Sequence, residues 1–229
     1  LPHQLRRPMT PASLLFRYAM AAMIVMAAAS PAGAQGTKGA QGAPGTKVSP
    51  YAQRYAELCA SCHGANGRSD MAGTPVLAGQ HSFYAITQLY LFREGRRDNP
   101  AMTAVAKTMK DEDLRGFSDF IATLPAVPAP PPATPPDAAR MARGQALAQE
   151  NRCLLCHGAD LSGGQQVPRI AQQHEDYLQL TLQGFRTGKR PGYTQAMGEA
   201  VGRLSPEDLD TLAYYVAHFP GATAKPPPK

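Results

Sequence analysis

The sequence predicts an all-α protein built from two copies of one small unit. Three observations lead there. Apolar residues recur at helical spacing near the end of each half, as Leu114, Phe117, Ile121 and Leu124 and again as Leu209, Leu212, Val216 and Phe219. The motif Cys-x-x-Cys-His occurs twice, at Cys59, Cys62 and His63 and at Cys153, Cys156 and His157, and it uses all 4 cysteines of the chain. Strand-like runs are scarce.

Residues 1–34 are expected to be a secretory signal peptide. Arg6, Arg7 and Arg17 form a positive front, residues 19–29 are apolar, and Ala32-Gly33-Ala34 supplies the small residues for cleavage before Gln35. The competing reading is an uncleaved anchor, but the apolar run falls short of the roughly 20 residues a spanning helix needs. No later segment is long and apolar enough to span a bilayer, so no transmembrane segment is expected in the mature chain. In residues 35–47 glycine recurs at 36, 39, 42 and 45, too few triplets for a collagen helix, and the stretch reads as a flexible tether.

The first unit, residues 48–124, opens on the helical pattern of YAQRYAEL and closes on a helix with Asp111-Glu112-Asp113 in its first turn. Residues 125–136, PAVPAPPPATPP, cannot join a helix or a central strand, because proline lacks an amide hydrogen and fixes φ. They are expected to form an extended proline-rich linker. The second unit, residues 137–220, begins a helix after the N-cap Asp137. Its last helix starts at Ser205-Pro206-Glu207-Asp208, with a cap, a proline at the first helical position and acids in the first turn. The tail, 221–229, is expected to be disordered. The units align with an offset of 93 to 95: Cys59 with Cys153, His63 with His157, Pro75 with Pro168, His81 with His174, Tyr84 with Tyr177, Arg93 with Arg186, Gly95 with Gly188. Each unit is small for an independent core, and a covalently held porphyrin would supply apolar mass.

Cys-x-x-Cys-His is the attachment signature of c-type haem: the two cysteines form thioethers and the histidine reaches the iron. Two such motifs predict two covalently bound haem c groups. A four-thiolate zinc site normally places its cysteine pairs about 15–20 residues apart, which the distance from Cys62 to Cys153 far exceeds. A thioredoxin-like motif would need a βαβ setting that is not visible. For the sixth iron ligand, the repeat singles out Met102 and Met197, the methionines that align with one another. His81 and His174 are the rivals, repeated near helix starts. Methionine is favoured because His/Met is a standard low-spin pair. Pro75 and Pro168 could offer a carbonyl to the second nitrogen of each haem histidine, or could serve only as loop breakers.

The formal net charge is +6, but residues 1–34 carry three arginines and no acid, and without them the excess is +3. The basic balance is therefore poor evidence for a nucleic-acid surface. The clusters Arg93, Arg96, Arg97 and Lys189, Arg190 could steer an acidic partner, face solvent or meet haem propionates.

The chain resembles the dihaem cytochromes c of the c4 type. The resemblance rests on CASCHG and CLLCHG, on PVLAGQ and PRIAQQ, on FREGRRDNPAM and FRTGKRPGYTQAM, and on the terminal helices, over roughly residues 50–220. It implies two class I cytochrome c domains in tandem, with His63 and Met102 on one iron and His157 and Met197 on the other, and it supports the prolines as histidine partners. The long proline-rich linker departs from the family's pattern. The function so implied is a periplasmic carrier, not an enzyme, moving single electrons to an acceptor such as a terminal oxidase from a quinol-oxidising complex or a dehydrogenase. The alternatives are a haem-bearing subunit of a periplasmic dehydrogenase complex and a stand-alone dihaem enzyme. The last would need an open or unusual ligand, and no fifth cysteine exists to provide one.

Overall fold

The computed structural model describes residues 49–192 and 194–220. The expected signal peptide, tether and tail lie outside them. The described residues form helices without strands; an isolated bridge joins Gly164 and Val167.

The first unit holds α1 (Pro50–Leu58), α2 (Ala60–His63), α3 (Ser82–Arg93), α4 (Pro100–Ala106) and α5 (Asp111–Thr123). The second repeats the order as α6 (Ala138–Glu150), α7 (Cys153–His157), α8 (Glu175–Arg186), α9 (Ala196–Val201) and α10 (Pro206–Ala217). The start signals act as the sequence predicts. Asp137 accepts from the amide of Arg140 at 2.6 Å, and Ser205 accepts from that of Asp208 at 3.1 Å, with Pro206 in the first turn.

The terminal helices stop earlier than their apolar pattern. Leu114, Phe117 and Ile121 are buried on α5, and Leu209, Leu212 and Val216 on α10. The fourth position of each pattern, Leu124 and Phe219, lies past the helix end. Each precedes a proline, Pro125 and Pro220, whose ring disfavours the α conformation in the residue before it; Leu124 accordingly has ψ 127°. Both side chains still pack against the core of their own unit.

Each unit has its own core. In the first, Tyr55, Ala85, Leu89, Met109, Leu114, Phe117 and Ile121 meet where α3 crosses α5. In the second, Leu147, Leu178, Leu212, Tyr215 and Val216 meet where α10 crosses α6 and α8. The linker is extended, yet it is not free of the units it joins. The carbonyl of Leu124 accepts from Gly79 at 2.9 Å, and the amide of Ala129 donates to the carbonyl of Gln172 at 2.8 Å. The segment thus leaves the first unit from an anchored residue and is pinned to the second at Ala129. Among the described residues no helix is long and apolar enough to cross a membrane.

Candidate haem sites and the face between them

Each Cys-x-x-Cys-His lies on a single helical turn. The amide of His63 donates to the carbonyl of Cys59 at 2.9 Å, and Cys153–His157 is helical throughout. Positions one, four and five of such a turn share one face, so both cysteines and the histidine address one object. The chain must then leave that turn at once. Gly64 does so at φ 76° and ψ 150°, and Gly158 at φ 80° and ψ 161°, backbone that only glycine adopts freely. At Gly64 a Cβ would lie 2.1 Å from the carbonyl oxygen of Arg68.

His63 and His157 are both buried. Nδ1 of His63 bonds the carbonyl of Pro75 at 2.9 Å, and Nδ1 of His157 that of Pro168 at 3.1 Å. A carbonyl only accepts, so each Nδ1 carries the hydrogen and each Nε2 keeps its lone pair for a metal. Burial pushes both imidazoles below their ordinary pKa, against the opposing pull of the proline carbonyls. Of the two roles open to Pro75 and Pro168, the structure shows the carbonyl partner. No disulfide pairs the cysteines; Cys59 and Cys153 are half-buried and Cys62 and Cys156 exposed. Among the described residues no group of three or more His, Cys, Asp or Glu converges as a metal site.

Met102 and Met197 lie in the first turns of α4 and α9. The signal was legible at Asn99-Pro100: Asn99 caps α4 by accepting from the amide of Met102 at 2.9 Å, with proline at the helix start. Both methionines are half-buried. Met102 packs against the same core as Cys59, whereas Met197 does not join the cluster that Cys153 flanks. The remaining methionines of the described segments have other settings: Met109 is core, Met141 flanks the second core and Met71 is exposed.

His81 and His174 occupy the N-cap positions of α3 and α8, make no capping bond there, and reach across to the other unit. Nε2 of His81 bonds the carbonyl of Ser162 at 2.9 Å, and Nε2 of His174 that of Ser69 at 2.9 Å. Through these bonds they help to build the face between the units. That face is two-fold in character over its glutamine, histidine and arginine–tyrosine contacts, whereas the bond from the amide of Gly73 to Asp176 at 2.6 Å has no mirror. Gln173 accepts from the amide of Val76 at 2.7 Å and donates to the carbonyl of Val76 at 2.9 Å. Gln80 does the same to Arg169 at 2.9 Å and 3.0 Å. Arg97 donates to the hydroxyl of Tyr177 at 3.1 Å, and Arg190 to that of Tyr84 at 3.1 Å. Such self-complementary pairing is the geometry of a two-fold dimer, here within one chain.

The arginine–tyrosine cluster tests whether these residues fit a haem. Arg97 is buried and Arg190 half-buried, and among the described residues neither has a carboxylate partner. Nε of Arg190 is buried without a hydrogen-bond partner. Burial alone would raise the pKa of Tyr177, but the guanidiniums of Arg190 and Arg97 outweigh it and draw the phenol down. Buried cations need an anion, and a propionate-bearing porphyrin supplies one. The residues present fit the group. The sequence alone leaves Arg97 and Arg190 with three possible roles, and it gives Gln80 and Gln173 no chemical signature. The glutamines stood in the repeat, at the same place in PVLAGQ and PRIAQQ, as a signal that could have found them.

The family described as Cytochrome c matches residues 51–125 and 141–220. The chain is 32% identical over 170 residues to a cytochrome c4 of Thiocapsa roseopersicina, covering 69% of this chain and 85% of the relative. It is 34% identical over 174 residues to a thiosulfate dehydrogenase electron acceptor of Stutzerimonas stutzeri strain A1501, covering 71% and 79%. The solved structure of reduced recombinant cytochrome c4 from Pseudomonas stutzeri superposes with a TM-score of 0.66 at 25% identity, over 75% of this chain and 98% of that one.

Proposed function

The chain belongs to the cytochrome c family, as a dihaem electron-transfer protein of the c4 type with one covalent haem c per domain, and from that premise we propose that it is a periplasmic shuttle between a respiratory donor and a terminal oxidase. In this reading Cys59, Cys62, Cys153 and Cys156 carry the thioethers. His63 and Met102 close one iron, and His157 and Met197 close the other. The haem, when bound, supplies reversible one-electron exchange at iron. The protein's residues do the rest. The cysteines prevent loss of the group outside the cytoplasm. The carbonyls of Pro75 and Pro168 fix the histidine rings. The methionines would leave no position for oxygen, peroxide or a substrate, and their thioethers favour the ferrous state.

The observation that carries the reading is the repeat of the whole set. Each unit presents a buried histidine with Nδ1 tied to a proline carbonyl, 2.9 Å in one and 3.1 Å in the other, and each presents a methionine in the first turn of a short helix ahead of the terminal one. Carbon monoxide tests it. The reduced protein should bind none, and the ferric protein should show the methionine–iron charge-transfer band at two-haem intensity. Ready binding at one haem would refute closure of that iron and move a catalytic role ahead.

The likeness to the thiosulfate dehydrogenase electron acceptor favours a second reading, in which the donor is a periplasmic dehydrogenase that the chain accompanies as a subunit. Reduction of the ferric protein by such an enzyme and thiosulfate at catalytic rates, with co-purification of the pair, would select it over the free shuttle.

A further inference from the structure

We propose that Gln80 and Gln173 are cross-domain positioning residues, each governing the hydrogen bond that holds the haem histidine of the other domain. This rests on the reading of His63 and His157 as iron ligands.

In the first domain, Nδ1–H of His63 donates to the carbonyl of Pro75 at 2.9 Å. The N–H of that same peptide unit belongs to Val76, and it donates to Oε1 of Gln173, in the second domain, at 2.7 Å. The two bonds sit at opposite ends of one planar, conjugated amide. A partner that accepts from the N–H draws electron density toward the carbonyl oxygen, and the linked bonds strengthen one another. The second domain repeats the chain: His157 to the carbonyl of Pro168 at 3.1 Å, and the amide of Arg169 to Oε1 of Gln80 at 2.9 Å.

The orientation of both side-chain amides is unambiguous. A backbone N–H can only donate and a backbone carbonyl can only accept. Nε2 of Gln173 therefore faces the carbonyl of Val76 at 2.9 Å, and Nε2 of Gln80 that of Arg169 at 3.0 Å. Each Oε1 also accepts from the amide of the next residue, His174 at 3.0 Å and His81 at 3.3 Å. Both glutamines are buried, at 7% and 5% exposure, so water does not take their place.

A stronger bond at Nδ1 makes an imidazole a better donor to its metal and favours ferric iron. Each haem is thus set by a residue of the other domain, and any shift at the face between them moves both potentials. A partner that pries or presses this face would retune both haems at once.

The test uses the holoprotein with Gln173→Leu and, separately, Gln80→Leu. Optical redox titration gives the two potentials, and hyperfine-shifted proton resonances assign each to its haem. Gln173→Leu should raise the potential of the haem on His63, shifting its ferrous-to-ferric ratio about threefold, the share of a hydrogen bond's worth that the iron feels, or about 30 mV for one electron. The haem on His157 should move far less, and Gln80→Leu should do the reverse. Equal shifts at both haems, a shift confined to the variant's own domain, or no shift in a folded variant would overturn the proposal. If the leucine variant does not fold, Gln173→Glu decides. It keeps an acceptor for Val76 and makes it anionic, so the haem on His63 should fall in potential and fall more than its neighbour; an unchanged or raised value sinks the idea. The methionine–iron band of the unmutated protein reports the ligand reading separately: its absence there would fault the ligands, whatever the glutamine variants do.

Discussion

Two glycines at helix crossings should respond differently to the same methyl group. Gly144 lies in α6 against α10, and Gly116 lies in α5 against α1. A Cβ at Gly144 would stand 2.3 Å from Cβ of Tyr215 and 3.0 Å from the carbonyl oxygen of Thr211. Ordinary carbon contacts need about 3.5–4.0 Å. Both neighbouring atoms are fixed to the backbone of α10, so no rotamer relieves the clash and the helices must part. Overpacking of this kind costs about 1–3 kcal/mol, offset by the roughly 1 kcal/mol by which alanine is the better helix former. At Gly116 the obstructing atoms are the ring of Tyr51, at 2.0 and 2.1 Å. That half-buried ring can swing away, giving up its hydroxyl bonds to the carbonyl of Glu112 at 3.0 Å and to Asp113 at 3.4 Å and its edge contact with Phe117, together worth about 1.5 kcal/mol. Helix propensity offsets most of that loss. Gly144→Ala should therefore destabilise the holoprotein by up to about 2 kcal/mol, and Gly116→Ala by about 0.5 kcal/mol or less. Guanidinium unfolding followed by far-ultraviolet circular dichroism measures both midpoints, and the parallel loss of the methionine–iron band shows which haem is exposed first. Because only Asn151 and Arg152 separate α6 from Cys153, Gly144→Ala should also release the second haem's methionine earlier. Equal costs at the two glycines, or a larger one at Gly116, would refute the reasoning from backbone-fixed contact.

Acidification should weaken the first domain through Asp113. The Arg54 guanidinium beside it holds its carboxyl below the ordinary carboxylate value, and the amide of Lys110 adds to this. A folded pKa below the unfolded one, about 3.9, gives a contribution that is complete above about pH 4 and lost as pH falls through the folded value. The stability advantage over Asp113→Asn, read from denaturation midpoints, should be present at neutral pH and vanish in strong acid; an advantage that persists there would fault the ion pair as its source. Replacing both cations between the domains, Arg97→Gln with Arg190→Gln, removes positive charge that favours electron gain. Both haem potentials should fall in a spectroelectrochemical titration, and unchanged values would argue against the propionates as their partners.

The parts of this fold legible in the sequence were those written locally. Ser205-Pro206-Glu207-Asp208 starts a helix by capping chemistry alone, and α10 begins there. Cys59, Cys62 and His63 declare their chemistry by spacing. The helix ends were less legible, because the apolar period continues through Leu124 and Phe219 while the following prolines stop the backbone. The setting of Met102 in a helical turn is written in Asn99-Pro100, a cap followed by proline at the helix start. Hardest to see was the face between the domains. Val76 and Gln173 are bonded although 97 positions separate them, and no local pattern specifies such a bond. Nor does composition show that the proline-rich segment is pinned at Ala129, since an extended strand of prolines looks alike whether free or docked.

The register of the repeat carries that missing information. The offset between units is 94 at the haem cysteines and histidines and 95 from Met102 through the terminal helix. Between them it holds at 93 without interruption: Ser69 with Ser162, Pro75 with Pro168, Gln80 with Gln173, His81 with His174, Tyr84 with Tyr177, Arg97 with Arg190. These residues build the face between the domains. A two-fold contact demands the same backbone from both copies, because each residue must meet the mirror of what it presents. Insertion of one residue inside the block would misalign every pair beyond it, whereas an insertion outside leaves the face intact. The length changes accordingly sit between His63 and Ser69 on one side and between Arg97 and Met102 on the other. The linker holds the copies at high effective concentration, and it is itself docked on the second unit at Ala129. What ties each haem histidine to the opposite domain thus lies within a single block of constant register, bounded on both sides by the length changes.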